Sequence, residues 1–591
     1  MMSSPSSVPA IRNGGIHRAI ASCFVSCLAV LSVFAAGGVY YETNDDPVMG
    51  QIAAGLGSVD GPSPMLLYTH VAIGQVLATL YRLWPHWDWY ASYLVGTHVL
   101  SHAAVFWLSL KEWNGWRGWL ACGVWFAVVG LQWLMPMQFT TTAVLAFVTG
   151  AALVMHVVFR HGEGDAPLRV LRVPAWWCGM ALLLVSRAIR PPAFELGCAL
   201  LLPVLLVMLV VHRTRVAVVS MGLTLGILAA AVVALDVTHR QAYYDGGEWQ
   251  AFCEDVWRPI ASLNNAERLF FFPVNPVFHD KAAQTAFRVQ LDEAGWSIND
   301  FQLMQIWFYD DSQVYASNRL RNVMAATFPV SDSQWARLLP LVLVQLKATW
   351  LQPRFVLGLL AAICLAVRTK QTRVALLLLL LMVAWSDGVM AYLKAIRVLP
   401  NRVFAPLALS PLFALLWWSA GAHEGHASST RRFMAAGRGM AVCLLAAGVS
   451  LAARAEAPRA VRLQSKQLSE DLQHAPLRAE HMFVIWHPDL FGALLPFSDD
   501  SVFRDWHWVF LDGHQRDPRH QRLMAAWKWP DVSSGLREDP TARLISSNVL
   551  VPYLEKFFNE HYGPGWKFVP EWRGAQFTIY RVAHEPQQAP Q

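Results

Sequence analysis

Twelve stretches of this chain run for roughly twenty mostly apolar residues each. A run of that length matches the thickness of a bilayer's hydrocarbon core, and this many in one chain leave few folds other than a polytopic helical membrane protein. The runs are 18–40, 66–84, 89–110, 116–134, 139–159, 174–190, 193–211, 216–236, 352–367, 374–394, 403–421 and 435–454, with a weaker one at 338–350 that carries Lys347. Charged residues make up 15% of the chain and hydrophobic residues 55%, where an ordinary soluble domain carries about 25% charge. A disordered, collagen-like or disulfide-stapled chain is excluded, and a purely soluble enzyme is disfavoured. The first run is too long for the apolar centre of a signal peptide and reads as a retained first span.

Lys and Arg cluster at Arg12 and Arg18, at Lys111 and Arg117, at Arg160, Arg169 and Arg172, at Arg213 and Arg215, at Arg368, Lys370 and Arg373, and at Arg431, Arg432 and Arg438. All six clusters fall on one side only if 66–84 and 338–350 do not span. The run 66–84 contains Tyr68, Thr69, His70, Gln75, Tyr81 and Arg82 and ends in Trp84-Pro85-His86-Trp87, the character of a helix lying in the interface. The reading is an α-helical polytopic membrane domain over 1–454 with about eleven transmembrane helices and a cytoplasmic N-terminus. Its outer loops are 41–88 and 237–351, and a small extracytoplasmic α/β domain follows over 455–591.

In the large loop, helices are expected around 281–293 and 299–308, with Ser297 or Asn299 as a cap. The tail reads as a helix near 461–474, a strand at 482–486, a helix near 549–560 and an edge or final strand at 576–582. The net charge of +6 is mostly the topology-setting clusters, and no basic stripe interleaved with aromatics points to nucleic acid. The eight cysteines form no CxxC pair and read as small buried hydrophobes. Neither a P-loop nor a G-x-G-x-x-G is present.

The sharpest chemical feature is Glu42-Thr43-Asn44-Asp45-Asp46-Pro47, just after the first span. Adjacent acids repel one another and need a cation, a basic partner or plain solvation. Such a pair acts as a base, holds a divalent metal, or simply ends a helix in a solvated loop. Downstream come Asp60-Gly61-Pro62-Ser63-Pro64-Met65, the interfacial helix and then the second span. This order resembles the GT-C membrane glycosyltransferases, whose first outer loop carries an acid pair after the first span, followed in several members by a proline turn and a surface helix. The chain departs from the dolichyl- and lipid-A-modifying members in having no His-Pro-Pro before that helix, which leaves the acceptor open.

The resemblance implies transfer of a sugar, usually with inversion, from a polyprenyl-phosphate-linked donor to a glycan, lipid or protein acceptor at the outer face. Asp45 is then the expected base and Asp46 its helper, or a metal ligand if the enzyme uses a divalent cation such as Mg2+ or Mn2+. Glu42 and Asn44 beside them are candidates for substrate binding. A lipid phosphate calls for cations near the outer interface, and Arg187, Arg190, Arg397 and Arg402 are placed there. Snorkelling to the interface explains Arg187 and Arg190 without any ligand. By analogy the short cytoplasmic loops suit a bacterial inner membrane.

Four further features have structural readings beside functional ones. Asp300 and Tyr309-Asp310-Asp311 suit metal or sugar binding, or helix capping. Gln138 to Thr142 lines a cavity or begins a helix. His98 and His102 share a helix face, suited to a metal or to helix–helix hydrogen bonding. Most tryptophans read as an aromatic belt, while Trp296 and Trp307 are placed to stack on sugars. The rival functions are a transporter or flippase of lipid-linked sugars and a non-catalytic envelope-assembly protein. A transporter lacks an obvious need for the soluble tail, and no internal repeat supports one.

Overall fold

The computed structural model describes residues 13–113, 115–161, 167–211, 214–263, 281–327, 371–396, 400–421, 456–487, 490–498 and 501–585, with short pieces between 356 and 366. The chain is a mostly helical membrane protein with an α/β domain at its C-terminal end. The first part comprises α1 (Asn13–Ala35), β1 (Tyr40–Tyr41), α2 (Asp45–Ala54), α3 (Val71–Leu83), α4 (Trp89–Glu112), α5 (Trp116–Trp125) and β2 (Pro136–Met137). Then come α6 (Phe139–His161), α7 (Pro174–Ile189), α8 (Pro191–Val211), α9 (Arg215–Tyr244) and α10 (Glu248–Phe252). The large loop holds α11 (Lys281–Glu293), α12 (Ile298–Gln305) and α13 (Ser317–Thr327), and α14 (Thr372–Ile396) and α15 (Asn401–Gly421) return to the apolar bundle.

Among the described residues seven helices are long and apolar enough to cross a membrane: α1, α4, α6, α8, α9, α14 and α15. The expected span at 435–454 and the weaker run at 338–350, read as non-spanning, lie outside the described residues, as does most of 352–367. Two of the eleven expected spans differ in form. The run 116–134 is α5 followed by a π-helical turn at Phe126–Gly130 and a short helix, Leu131–Leu134. The helix α7 has 16 residues, about 24 Å at 1.5 Å per residue, short of the ~30 Å hydrocarbon core.

The expected surface helix is α3, with 13 residues, about 20 Å and too short to cross. His70 starts it by accepting from the Ala72 N–H, and Pro85 follows its end. Gly74, Leu77, Ala78 and Tyr81 are buried, a single face at helical spacing. Gly74 seats α3 on the Gly61–Pro64 turn: a Cβ there would lie 2.0 Å from the Pro64 carbonyl oxygen.

The buried axis of the bundle is α6, which packs on α4, α7 and α15. Gly150 and Gly179 let α6 and α7 close up, since a Cβ on either would come within 2.8 Å of the other's carbonyl oxygen. On the bundle's outside, α1 exposes Ile16, Ile20, Phe24, Leu28 and Leu31, a stripe suited to lipid. His98 bonds Thr142, and the Trp125 indole donates to His102, so the two histidines join helices. Trp84, Trp87, Trp116, Trp119 and Trp177 are exposed, as a belt requires, whereas Trp133 and Trp176 are core residues.

The tail begins with α16 (Glu456–His474) and builds a five-stranded sheet from β3 (Met482–Trp486), β4 (His507–Phe510), β5 (Ala542–Ser546), β6 (Trp566–Arg573) and β7 (Thr578–His584), in the order β4-β3-β5-β7-β6. Strands β4, β3 and β5 are parallel, and β7 is antiparallel to both β5 and β6. The final strand is therefore interior, and β6 forms the edge. Helices α17 (Pro518–Ala526) and α18 (Val532–Glu538) connect β4 to β5, and α19 (Val551–His561) follows β5.

The first loop, the large loop and the tail gather at one end of the bundle. Arg522 bridges Asp60 and Glu248, the Phe497 N–H donates to Asp88, and Arg504 donates to the Pro85 carbonyl. Two buried acid–imidazole pairs fasten the large loop to the tail, Asp310 with His520 at 3.0 Å and Asp300 with His561 at 2.8 Å. Burial opposes the charge on both imidazoles, but the facing carboxylates outweigh it and raise both pKa values above 6.5. The folded chain thus holds protons that the unfolded chain releases. Docking of the tail is expected to be fully supported below about pH 6.5 and to weaken as pH rises through the raised values. Apparent unfolding temperature against pH checks this: the wild type falls on the alkaline side, and the double variant His520→Asn, His561→Asn shows a flatter profile.

Candidate active site

Residues 40–42 and 135–139 pair as a two-stranded parallel bridge, Tyr40 opposite Pro136 and Tyr41 opposite Met137, extended by a Glu42 N–H bond to the Met137 carbonyl. The bridge sets the first turns of α2 and α6 side by side. Asp45 and Asp46 occupy the first turn of α2, where the helix N-terminus favours negative charge. Asn44 is in the N-cap position, although its side chain makes no cap bond.

The two acids have different surroundings. Asp46 is fully buried. Its Oδ1 accepts from the Tyr90 hydroxyl at 3.0 Å and the Phe139 N–H at 3.1 Å, and its Oδ2 faces the Thr43 hydroxyl at 3.4 Å. Burial and the neighbouring Asp45 raise its pKa well above the usual carboxylate range, against the lowering by Tyr90, Phe139 and Arg402. Asp45 keeps 26% of its side chain exposed and faces the Arg402 guanidinium at 4.0 Å. Arg402 lies in the first turn of α15.

Arg190 approaches from the end of α7. It donates to the Tyr68 carbonyl at 3.3 Å, and its guanidinium lies 5.4 Å from the Tyr68 ring centre and 5.2 Å from that of Phe139. Burial and the Asp45 carboxylate raise the Tyr68 pKa well above 10, so its phenol stays a hydrogen-bond donor. Tyr68 feels the charges of Asp45, Arg190 and Arg402, and Asp46 bonds the Phe139 N–H, so the four charged residues gather around Tyr68 and Phe139.

Arg187 points elsewhere. Its Nε and Nη2 engage both oxygens of Asp236, at 3.1 and 2.7 Å, and its Nη1 reaches Glu195 at 2.8 Å. Three donors committed to two acids tie α7 to α8 and α9, which corrects the assignment of Arg187 as a phosphate ligand. Arg397 lies outside the described residues. Ser297 and Asp300 form a capping box on α12. Asp311 accepts from the Gln313 and Val314 N–H groups and from the Tyr562 hydroxyl. Gln138 caps α6 by accepting from the Thr140 and Thr141 N–H groups. Trp296 is buried and donates to the Val314 carbonyl, so it is no sugar platform. One group among the described residues has metal-ligand spacing, Asp300 with Glu560 and His561. It already bonds within itself and to Ser297.

Reading the sequence missed Tyr68 and Tyr90. Tyr68 was absorbed into the surface helix, which in fact starts three residues later, and Tyr90 lay unremarked within the expected span 89–110. It also missed that Asp512 and His514 of the tail approach Tyr68: the His514 ring is 6.2 Å from the Tyr68 ring, and Asp512 adds to the field on the Tyr68 phenol.

No family model and no curated protein matches the sequence. Among solved structures, the crystal structure of ArnT from Cupriavidus metallidurans in the apo state is similar to 96% of this chain and 99% of that chain, with 13% sequence identity and a TM-score of 0.40.

Proposed function

We propose that the chain is an integral membrane glycosyltransferase of GT-C type, transferring a sugar from a polyprenyl-phosphate-linked donor to a glycan, lipid or protein acceptor at the outer face of a bacterial inner membrane. One observation carries the reading. Two adjacent acids are divided by their surroundings, one buried and held by three donors, the other partly exposed and facing Arg402, with Arg190 packed on the neighbouring Tyr68 and Phe139 rings. In this reading Asp45 takes the proton from an acceptor hydroxyl, whose oxygen attacks the anomeric carbon of the donor. The bond from that carbon to the phosphate oxygen breaks with inversion. Polyprenyl phosphate leaves with the electron pair, its charge met by Arg402 and Arg190. Asp46 anchors the start of α2 and so positions Asp45. It does not fit a metal ligand, since a divalent cation takes several oxygens open to it, whereas Asp46 is enclosed and already accepts from its neighbours. Glu42 and Asn44, whose backbones belong to the bridge and to α2, border the acids and complete the proposed substrate contacts.

The test is reconstitution of the full chain in liposomes with radiolabelled polyprenyl-phosphate sugars extracted from the producing membrane. Label passing to an acceptor supports the reading. Label crossing the bilayer without transfer establishes the flippase instead, and neither event leaves an assembly role. The orientation has its own check. Gln75 is exposed on α3, so a Gln75→Cys variant is expected to react with an impermeant thiol reagent from the outer side alone.

A further inference from the structure

Between α2 and the tail lies a cavity of about 60 Å³, lined by Gln51 and Ile52 of α2, by Trp508 and Phe510 of β4, and by Asp512 and His514 just beyond that strand. Two residues of this lining carry polar atoms that are shielded from solvent and make no hydrogen bond: Nε2 of Gln51 and Nε2 of His514. Each residue is only 6% exposed. Buried donors and acceptors left unsatisfied are destabilising, so two on residues lining one cavity point to something that fills it.

The loop is built for this. His514 Nδ1 lies 3.2 Å from Asp512 Oδ2, and Asp512 Oδ1 accepts from the His514 N–H at 2.7 Å. A carboxylate accepts, so Nδ1 carries the hydrogen, and in that tautomer Nε2 is an acceptor. Asp512 is fixed through its carbonyl, which accepts from the Tyr309 hydroxyl and from Gln515. The loop follows the carboxyl end of a parallel strand, where open α/β sheets place ligands. It also packs on Tyr68, which lies within the field of Asp45. Gly513 packs so closely on Tyr68 and Trp257 that a Cβ would lie 3.0 Å from the Tyr68 hydroxyl oxygen and 2.9 Å from the Trp257 ring. Gln51 sits on the helix that begins with Asp45 and Asp46.

We infer that Gln51 and His514, with Asp512 orienting the imidazole, form a subsite for a carbohydrate hydroxyl of the transferred or accepting sugar. A hydroxyl is the group that suits both orphans, since its hydrogen donates to His514 Nε2 while its oxygen accepts from Gln51 Nε2. The size agrees. One water occupies about 10–15 Å³ by this measure, so the cavity takes a ring substituent rather than a whole sugar, with Ile52, Trp508 and Phe510 as apolar walls. The inference rests on the glycosyltransferase reading and makes the tail part of substrate recognition.

His514→Asn, His514→Gln and Gln51→Leu separate this from a structural role. Asparagine places its amide near Nδ1, keeping the bond to Asp512 and losing Nε2, whereas glutamine reaches the Nε2 position. With the labelled lipid-linked sugars and native membrane acceptors as substrates, His514→Asn and Gln51→Leu are expected to raise one KM about tenfold, the loss of one hydrogen bond. The kcat changes less than about threefold, and His514→Gln recovers most of the loss. A donor KM that moves assigns the hydroxyl to the transferred sugar, and an acceptor KM assigns it to the acceptor. Unchanged KM values, or the reverse order with asparagine tolerated and glutamine not, overturn the subsite while leaving sugar transfer standing. If the wild type transfers nothing, equilibrium binding of the same lipid-linked sugars to the full chain reads the subsite: weakening by His514→Asn and Gln51→Leu upholds it, and no weakening, or no binding by the wild type, overturns it.

Discussion

Asp45→Asn is expected to lower the turnover of sugar transfer by about 10²- to 10⁴-fold, the usual contribution of a positioned general base. The amide matches the carboxylate in size but takes no proton from a hydroxyl. Folding is expected to change little, because the side chain is partly exposed and its neighbour Arg402 stands 4.0 Å away, a separation at which a surface ion pair contributes at most about 1 kcal/mol. The measurement is kcat on reconstituted protein, with the unfolding temperature as a control. Full activity in Asp45→Asn would remove the base from the mechanism.

Asp46 is expected to show a different pattern. Asp46→Ala strips the buried Tyr90 hydroxyl and Phe139 N–H of their acceptor. At about 1–3 kcal/mol for each of the two buried groups left unpaired, the loss is on the order of 2–6 kcal/mol. The first turn of α2 then loses its side-chain hydrogen bonds to α4 and α6, so transfer falls with stability. Asp46→Asn keeps an oxygen for both donors. Burial and Asp45 already favour the neutral form of the native acid, so asparagine is a close mimic, expected to stay near wild-type stability with at most about a tenfold loss of turnover. Unfolding temperatures and kcat for the two variants decide the matter. An alanine variant as stable as the parent refutes the anchoring role, and an asparagine variant as inactive as Asp45→Asn makes Asp46 a proton-transfer group.

Apolar runs are averages over about twenty neighbouring residues and need no knowledge of packing. That is why 139–159 and 374–394 were readable, against observed helices Phe139–His161 and Thr372–Ile396. Strand β3 at Met482–Trp486 was equally plain, a short apolar run with β-branched and aromatic members. Strands β4 and β5 were missed because four or five residues such as His507-Trp508-Val509-Phe510 carry little signal until a parallel neighbour pairs with them. The tail's last strand was found as an edge or final strand, and it is the final one. Its position between β5 and β6 is a matter of long-range pairing, which hydropathy does not encode.

The sequence by itself determined the helical membrane character, the short surface helix and the presence of an acid pair just after the first span. These depend on residue type and local spacing. Tertiary structure alone decided which acid is buried and which is open, because the partners of Asp46 lie 44 and 93 residues away. It also separated Arg402, which faces Asp45, and Arg190, which packs on the Tyr68 and Phe139 rings beside the acids, from Arg187, which Asp236 and Glu195 hold elsewhere. Charge in a sequence is a property of a residue, whereas its chemical use depends on which groups share its enclosure.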